Sequence, residues 1–389
     1  MNRIYLDYSA TTPLDPRVLE VMVSVFSGAY GNASSVHAYG REARAILENS
    51  RESISRSIGA KSDEVFFTSG GTEADNHAIK GLAAAGARKG RKRIITSSVE
   101  HHAVLHTVES LRKSGFEVLM LPIDGYGRVD PGEVKKAVGS STALISLMYA
   151  NNEVGTLNDI RAIGEIAREA GVPFHSDTVQ AAGKIDVNVN DLNVDVLSIS
   201  AHKFYGPKGI GAIYIRKGTQ IDSFIQGGAQ ESNRRAGTEN VPLAAGFARA
   251  SELAQDSMVT SLMHIRSLNA HLRERLRSEF EGLLFNGHPT ESLPHIVNVS
   301  FDSSRVQIDG DALIMGMDLR GVAVTSGSAC TSGSLQPSHV LLALGRDEQT
   351  ARATIRFSLG RETSVEELDA AISALKEVVE TVKTGRASQ

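Results

Sequence analysis

Short apolar runs alternate with longer amphipathic stretches across the first two thirds of the chain. The runs are apolar on both faces, which is typical of strands buried inside a parallel sheet. The pattern predicts strands beginning at residues 64, 93, 117, 143, 172, 195 and 209, in the runs EVFFTS, RIITSSVE, EVLMLPID, ALISLMYANNEVG, VPFHSD, DVLSISAHK and GIGAIYIR. Because helical patterns or loops separate these strands, including helices over 72–88 and 102–115, the sequence predicts an α/β fold with a mostly parallel, seven-stranded sheet.

The pattern changes near residue 250. It predicts a long helix from about 252 to 280, strands at 296–302, 322–326 and 354–360, and short helices between them. A last helix begins at Ser364, where Ser-Val-Glu-Glu forms a capping box. We therefore expect a large domain over residues 15–255. A smaller α+β domain would comprise residues 256–389 with 1–14 and would carry a Gly- and Ser-rich loop at 326–337.

Composition narrows the functional classes. The formal net charge of −4 gives no indication of nucleic-acid or membrane-surface binding, and no run of eighteen apolar residues could form a transmembrane helix. The start, MNRIYLDYSATTPLDP, lacks the apolar run of a signal peptide. A single cysteine allows no internal disulfide and no cysteine-rich metal site. We therefore expect a cytoplasmic protein without a metal centre.

The first stretch with candidate chemistry is SGGTEADN, at residues 69–76. A strand ends, two glycines follow, and a helix opens near Thr72. Glycines allow close approach of a ligand to the backbone, and a helix N-terminus attracts an anion. Alternatively, this is an ordinary strand–helix turn in which Thr72 is the N-cap. The stretch matches neither a P-loop nor a dinucleotide-binding fingerprint.

Two charged residues come directly after apolar strands. Lys203 ends SISAHK, and Asp177 ends FHSD. In a parallel sheet, side chains at the carboxyl ends of strands face the crevice where ligands bind. A desolvated lysine amine there is a candidate nucleophile for a Schiff base. Alternatively, Lys203 is a solvated loop residue and Asp177 a helix N-cap.

The only cysteine, Cys330, lies in SGSACTSGS, between two Ser-Gly pairs. A thiol in so loose a segment is either an incidental small residue or a nucleophile that has to move. The loop should be mobile, because its composition offers little apolar surface to offset the entropy of ordering.

The order of these motifs along the chain is more specific than any one of them. A phosphate-type turn is followed by EHHAV, NNEVG, Asp177 and Lys203, as in pyridoxal-phosphate enzymes of the aspartate-aminotransferase fold (fold type I). Asp177 would keep the cofactor's ring nitrogen protonated. The chain resembles the cysteine desulfurases, in the branch with a long cysteine-bearing loop. The resemblance rests on YLDYSATTPLDPRV, GNASSVHAYGREAR, SGGTEADN, EHHAV, ANNEVG, HSDTVQAAGK, SAHKFYGPKGIGA, RRAGTEN, SGSACTSGS and IRFSLGR. The stretch GGAQESN, at 227–233, departs from the family's usual glycine- and histidine-rich form.

The resemblance implies roles around the cofactor ring. Lys203 would bind pyridoxal 5'-phosphate covalently and later move the substrate's α-proton. Asp177 would pair with the ring nitrogen, while Gln180 and Asn152 would hydrogen-bond the ring oxygen. His101 would stack on the ring and shuttle protons; alternatively, it is a core histidine.

The resemblance also implies a phosphate site. Thr72, Ser200 and His202 would hold the phosphate, together with backbone amides near Gly71. Thr238 would reach it from the other subunit of a homodimer.

For the substrate, the resemblance implies a carboxylate clamp and a sulfur acceptor. Arg356 would bind the carboxylate of L-cysteine, and Asn152 would lie near it. Arg352 and Arg361 are nearby alternatives for the clamp. Cys330 would attack the substrate's sulfur and carry it as a persulfide to an acceptor protein, such as an iron–sulfur scaffold.

The expected activity is therefore that of a cysteine desulfurase, supplying sulfur for iron–sulfur clusters or tRNA thiolation. A selenocysteine lyase or a small-substrate aminotransferase of the same fold is an alternative, although an aminotransferase would have no use for Cys330. A non-catalytic scaffold for iron or sulfur is a further alternative, against which the pair of Lys203 and Asp177 argues.

Overall fold

The fold is given by a computed structural model, which describes residues 3–327 and 336–383. Its strands follow the chain in the order β1 (Ile4–Tyr5), β2 (Val65–Thr68), β3 (Arg93–Ser97), β4 (Glu117–Leu121), β5 (Thr142–Ser146), β6 (Phe174–Asp177), β7 (Val196–Ser200), β8 (Gly211–Ile215), β9 (Leu283–Asn286), β10 (Ile296–Phe301), β11 (Val322–Ala323) and β12 (Thr354–Ser358).

The helices cover both faces of the large sheet and one side of the smaller one. They are α1 (Pro16–Gly28), α2 (Ala38–Ser57), α3 (Gly71–Ala87), α4 (His102–Lys113), α5 (Pro131–Ala137), α6 (Ile160–Glu169), α7 (Val241–Glu279), α8 (Gly310–Leu319), α9 (His339–Ala343), α10 (Glu348–Arg352) and α11 (Val365–Val382).

The large sheet has seven strands in the order β2-β8-β7-β6-β5-β3-β4. Strand β8 runs antiparallel to both of its neighbours, and the remaining pairs are parallel. The predicted α/β fold with a mostly parallel seven-stranded sheet is therefore confirmed. Since parallel strands end at one edge, the residues that follow β5, β6 and β7 come together there.

The smaller sheet is antiparallel, with the order β12-β10-β9, and a separate pair joins β1 to β11 in parallel. The predicted strand at 322–326 is shorter than expected, since only Val322–Ala323 pairs as a strand. The capping box at Ser364 is present: its side chain accepts from the Glu367 amide, and the Glu367 side chain accepts from the Ser364 amide.

Helix α7 spans 39 residues and begins earlier than the predicted position near 252. Asn240 caps it, and Pro242 lies in the first turn, where proline costs no hydrogen bond. Its first half packs in the same hydrophobic cluster as the large sheet, and its second half packs with β10, β12 and α11. The predicted domain boundary between residues 255 and 256 falls inside this helix, so the division into domains stays a prediction.

Among the described residues, no helix combines the length and the apolar character that crossing a membrane requires.

Candidate active site

A crevice of about 390 Å³ opens at the carboxyl edge of the large sheet. It lies where β6 and β7 end, beside the N-terminus of α3 and β12 of the smaller sheet. Its lining contains most of the site residues predicted from the sequence: Gly71, Thr72, His101, Asn152, Asp177, Gln180, Ser200, His202, Lys203 and Arg356. Residues that are far apart in the chain thus meet around one cavity.

The strand–helix turn at the crevice depends on two glycines. Gly70 has a φ of 153°, a conformation that side chains disfavour. A Cβ on Gly71 would lie 2.6 Å from Cγ2 of Val179, so only glycine fits there. Helix α3 begins at Gly71, with Gly70 as its N-cap and no side-chain cap, so the alternative in which Thr72 is the N-cap is wrong. An uncapped helix N-terminus facing a cavity suits an anion.

Lys203 follows β7 in a single 3₁₀ turn, Ala201–Lys203. Its Nζ donates to the carbonyl oxygens of Ser9 at 2.7 Å and Ala10 at 2.9 Å. Burial, reinforced by the positive charge of Arg356, lowers the pKa of the Lys203 amine to about 8. A substantial neutral fraction of this amine is therefore present just above neutral pH, as a nucleophilic lysine requires.

Asp177 is buried at the end of β6, where its Oδ1 accepts from the Val179 amide at 2.9 Å. Burial raises the pKa of this carboxyl to about 7, and the neighbouring Asp75 raises it further. A buried carboxylate needs a cationic partner. A protonated ring nitrogen in the crevice would supply one.

Two histidines of the crevice are neutral. His101 caps α4, and its Nδ1 accepts from the Ala103 amide at 3.1 Å, so its proton lies on Nε2. Burial lowers the pKa of His101 to about 4, with a contribution from Lys203. His202 contacts the Thr11 hydroxyl through Nδ1 at 3.1 Å, and burial lowers its pKa to about 4 as well. Both rings can therefore hydrogen-bond an anion without adding charge.

Arg356, on β12, is buried and already engaged. Its Nη1 donates to the carbonyl oxygen of Asn152 at 2.7 Å, and its Nη2 to Oδ1 of Asp7 at 2.9 Å. Its Nε is buried and has no hydrogen-bond partner among the described residues. An orphaned guanidinium N–H at the crevice is a site where a carboxylate ligand would be stabilised.

The two alternatives to Arg356 lie elsewhere. Arg361 pairs with Asp15 at 2.5 Å, and its guanidinium lies 4.0 Å from the ring centre of Tyr205, in a neighbouring cavity. Arg352 ends α10 and does not line the crevice.

Two further predicted residues do not line this crevice. Thr238 is exposed, in the segment before α7. Cys330, the predicted sulfur acceptor, lies outside the described residues, as does most of the predicted loop.

Sequence reasoning missed two carboxylates of the crevice, Asp7 and Asp75. Asp75 is fully buried, with Oδ1 3.5 Å from Nε2 of His175, and burial raises its pKa to about 7. One signal was available, because Asp75 stands one helical turn after Gly71 and so shares its face of α3. The pairing of Asp7 with Arg356 left no such signal, because 349 residues separate them.

These donors fit pyridoxal phosphate. The glycine turn, where a Cβ on Gly71 would clash with Val179, and the uncapped N-terminus of α3 give backbone amides that suit the phosphate. The buried Asp177 suits the ring nitrogen, and the Lys203 amine suits the aldehyde carbon.

Known proteins match this chain over almost its full length. Residues 4–371 match the family model of Aminotransferase class-V. Cysteine desulfurase IscS of Dictyoglomus turgidum is 48% identical over 381 residues, covering 98% of this chain and 95% of that protein. Cysteine desulfurase IscS of Methanosarcina thermophila is 46% identical over 386 residues, covering 98% of this chain and 93% of that protein.

Solved structures agree. A NifS-like protein has a TM-score of 0.90 at 37% identity and covers 98% of this chain and 100% of its own. The structure of SspA in complex with cysteine has a TM-score of 0.79 at 36% identity, with coverage of 92% and 98%. The chain therefore belongs to the cysteine desulfurases of the class-V aminotransferase family.

Proposed function

We propose that this protein is a pyridoxal-phosphate-dependent cysteine desulfurase, which converts L-cysteine to L-alanine and transfers the sulfur to Cys330. One observation carries the proposal: the Lys203 amine, the buried Asp177 and the uncapped N-terminus of α3 share one crevice. They do so in a chain that matches cysteine desulfurases over almost its full length.

Different residues of the crevice bind different parts of the cofactor. The N-terminus of α3, with Ser200 and His202, holds the phosphate, and Asp177 holds the proton of the ring nitrogen. Pyridoxal phosphate, when bound, draws electron density from the substrate's α-carbon. Lys203 would bind the cofactor and then, as a free amine, would take and return the α-proton at Nζ. His101 would pack against the ring and offer its Nε2–H as a donor.

The substrate's carboxylate binds at Arg356. In the structure, Nη2 of this arginine donates to Oδ1 of Asp7 at 2.9 Å, while Nε has no hydrogen-bond partner among the described residues. Asp7 therefore holds the guanidinium in place and leaves a donor for the ligand. Asn152, whose carbonyl oxygen also anchors Arg356, lies beside the same site.

Cys330 completes the reaction in this proposal. Its thiolate attacks the sulfur of L-cysteine, the substrate's Cβ–S bond breaks, and Cβ takes a proton to give alanine. The products are alanine and a Cys330 persulfide, so the atoms balance without an added oxidant. An acceptor protein, such as an iron–sulfur scaffold, then takes the sulfur. The single cysteine fits a reducing cytoplasm, where we place the reaction.

The protein acts as a homodimer in this proposal. Large apolar side chains stay exposed on one face of α1 and on the loop that follows, among them Phe26 at 59% and Tyr30 at 74%. Tyr30 stacks on Tyr39 at 5.4 Å between ring centres. An exposed apolar patch of this kind favours a protein partner. Thr238, which is exposed and does not line its own crevice, fits a contact with the other subunit.

The test is the stoichiometry of the products. The holoenzyme, given L-cysteine and an excess of a dithiol, should release alanine and sulfide in equal amounts, because each cleaved Cβ–S bond yields one of each. An aminotransferase would instead form a keto acid and no alanine from cysteine. A colourless protein that releases neither product would support the scaffold alternative.

Cys330→Ala separates the sulfur step from cofactor binding. This variant should keep the visible absorption of the bound cofactor and lose persulfide formation, as measured by mass spectrometry of the protein after exposure to cysteine. Full desulfurase activity in Cys330→Ala without added thiol would contradict the role of Cys330.

A further inference from the structure

Lys184 is a lysine of the site region to which the proposed reaction gives no task. It follows the turn after β6 and lies beside Lys203 in a cavity that adjoins the crevice. Its Nζ contacts Oε1 of Gln180 at 3.1 Å and Nε2 of His295 at 3.1 Å. In residues 3–327 and 336–383, no carboxylate forms an ion pair with it. Lys184 therefore has hydrogen-bond partners but no counter-charge.

The surroundings of Lys184 disfavour its charged form. Burial lowers the pKa of Lys184 well below its usual value, and the positive charges of Lys203 and Arg356 lower it further. Burial also lowers the pKa of the neighbouring His295 well below its usual value, so this ring is neutral near pH 7. A lysine amine has N–H groups to donate whether it is charged or neutral, and the oxygen of an amide can only accept. The contact with Gln180 is thus a donation from Lys184 to Oε1.

This donation fixes which way the Gln180 amide points. On its other side, Nε2 of Gln180 donates to the carbonyl oxygen of Ser9 at 2.9 Å. If the amide were rotated by half a turn, its NH₂ would face the Lys184 donor and its oxygen would face the Ser9 carbonyl. The two oxygens would repel each other and the donation from Lys184 to Oε1 would be lost, so the two neighbours favour the orientation in which Oε1 faces Lys184.

The enforced orientation has a consequence for the cofactor. Gln180 lines the crevice, and only one of the two Nε2 hydrogens is used by Ser9. The other is left to donate to a group in the crevice. The ring oxygen of pyridoxal phosphate carries negative charge and accepts hydrogen bonds. It therefore needs the NH₂ of Gln180, not the carbonyl oxygen, on its side.

We propose that Lys184 is a positioning residue, which holds the Gln180 amide with its N–H toward the ring oxygen of the cofactor. The inference rests on the proposed function, since it needs pyridoxal phosphate in the crevice. It assigns Lys184 no contact with substrate or cofactor.

The backbone turn at residues 181–184 brings the Lys184 side chain into contact with Gln180. Gly183 has a φ of 73°, and a Cβ on it would lie 2.6 Å from the ring of Phe204. The tight turn that this glycine allows is closed by the Lys184 amide, which donates to the carbonyl oxygen of Ala181 at 3.1 Å. A lysine four residues after the glutamine thus folds back onto it.

The test measures the cofactor, not the turnover. The visible absorption band of the holoenzyme is titrated with pH, and its midpoint reports the protonation of the link between Lys203 and the cofactor. A hydrogen bond to the ring oxygen stabilises its negative charge and lowers this midpoint. In Lys184→Met the donor to Gln180 is lost, so the midpoint should rise by about 0.5 to 1 pH unit.

Further variants make the result specific. Lys184→Gln, which is too short to hold the contact but remains polar, should shift the midpoint in the same direction and carries the test if Lys184→Met does not fold. Lys184→Arg keeps a donor and should leave the midpoint near the wild-type value. Lys136→Met removes an exposed lysine on α5 and should leave it unchanged. Gln180→Met combined with Lys184→Met should shift the midpoint no further than Gln180→Met alone, since the two act through one bond.

The melting temperature of each apoenzyme distinguishes positioning from a merely structural role. A lowered melting temperature in Lys184→Met and Lys184→Gln with an unchanged midpoint would overturn the inference. A wild-type protein that forms no visible band with pyridoxal phosphate would instead overturn the proposed function. The two failures are therefore distinguishable.

Discussion

Three ionisable side chains in the crevice, Lys203, His101 and Asp177, have pKa values shifted toward their neutral forms. Burial is the first cause in each case: it lowers the pKa of Lys203 to about 8 and of His101 to about 4, and it raises the pKa of Asp177 to about 7. Removing a group from water penalises its charged form, so the three shifts have one origin. The apoenzyme thus holds an amine and a carboxyl that both change protonation close to neutral pH.

The shift of Lys203 predicts how the apoenzyme takes up its cofactor. Only the neutral amine attacks the aldehyde of pyridoxal phosphate. Below the pKa, the neutral fraction rises about tenfold per pH unit, and it levels off above pH 8. The rate of appearance of the visible band, measured by stopped flow, should therefore rise from pH 6 and become flat above about 8.5.

An unshifted lysine would give a rate that still rises near pH 10, and this outcome would contradict the burial of the amine. Lys203→Ala provides the control. It should bind the cofactor without a covalent link, and borohydride should then fix no cofactor to the protein.

At the scale of elements, the turn from β2 into α3 shapes the phosphate site. It depends on Gly71, whose place leaves no room for a side chain beside Val179. In Gly71→Ala the new methyl group should push the turn away from Val179 and weaken cofactor binding by about tenfold or more. Equilibrium dialysis with pyridoxal phosphate measures the effect.

Two variants check the cause of this effect. Gly139→Ala, at a glycine with open space around its Cβ position, should bind the cofactor like the wild type. Val179→Ala removes the methyl group that would clash, so it should restore part of the binding when it is combined with Gly71→Ala. No restoration in the double variant would show that the contact with Val179 is not the reason.

The elements of the large sheet were predictable because each strand is a continuous apolar run that ends in polar residues. The early start of α7 was not, since its first turns are apolar on all sides and carry no helical periodicity. Buried residues there include Val241, Ala244 and Phe247. Such a helix is recognised only from what surrounds it.

The residues of the site likewise include some that the sequence predicts and some that it does not. Lys203 and Asp177 follow strands directly, and the topology of a parallel sheet brings such residues together. The link between Asp7 and Arg356 joins the two ends of the chain. The contact of Lys184 with His295 joins a turn after β6 to the residues before β10. Both are products of tertiary packing, which no local pattern encodes.

At the scale of the molecule, the exposed apolar patch on α1 and its following loop predicts self-association. Phe26→Asp places a charge in this patch and should weaken the dimer by roughly 30-fold. Sedimentation equilibrium or light scattering over a dilution series measures the change.

Leu319→Asp is the matched control, because Leu319 is an equally apolar residue, 77% exposed, on the distant helix α8. It should leave the association unchanged. If Leu319→Asp weakened the dimer and Phe26→Asp did not, the subunit contact would lie on α8 and not on α1, which would contradict the prediction. A wild-type protein that is monomeric at micromolar concentration would contradict the dimer itself.

The long helix α7 limits how the chain can be divided. At 1.5 Å per residue, its 39 residues reach about 58 Å as one rod, which is packed at each end in a different hydrophobic cluster. A gene split after residue 255 would leave each product with only part of this helix and an apolar stripe open to water. We therefore expect neither product to fold stably when it is expressed on its own. A designer who wants to separate the two parts, or to insert a reporter between them, needs to keep Val241–Glu279 intact and to use a surface loop outside it.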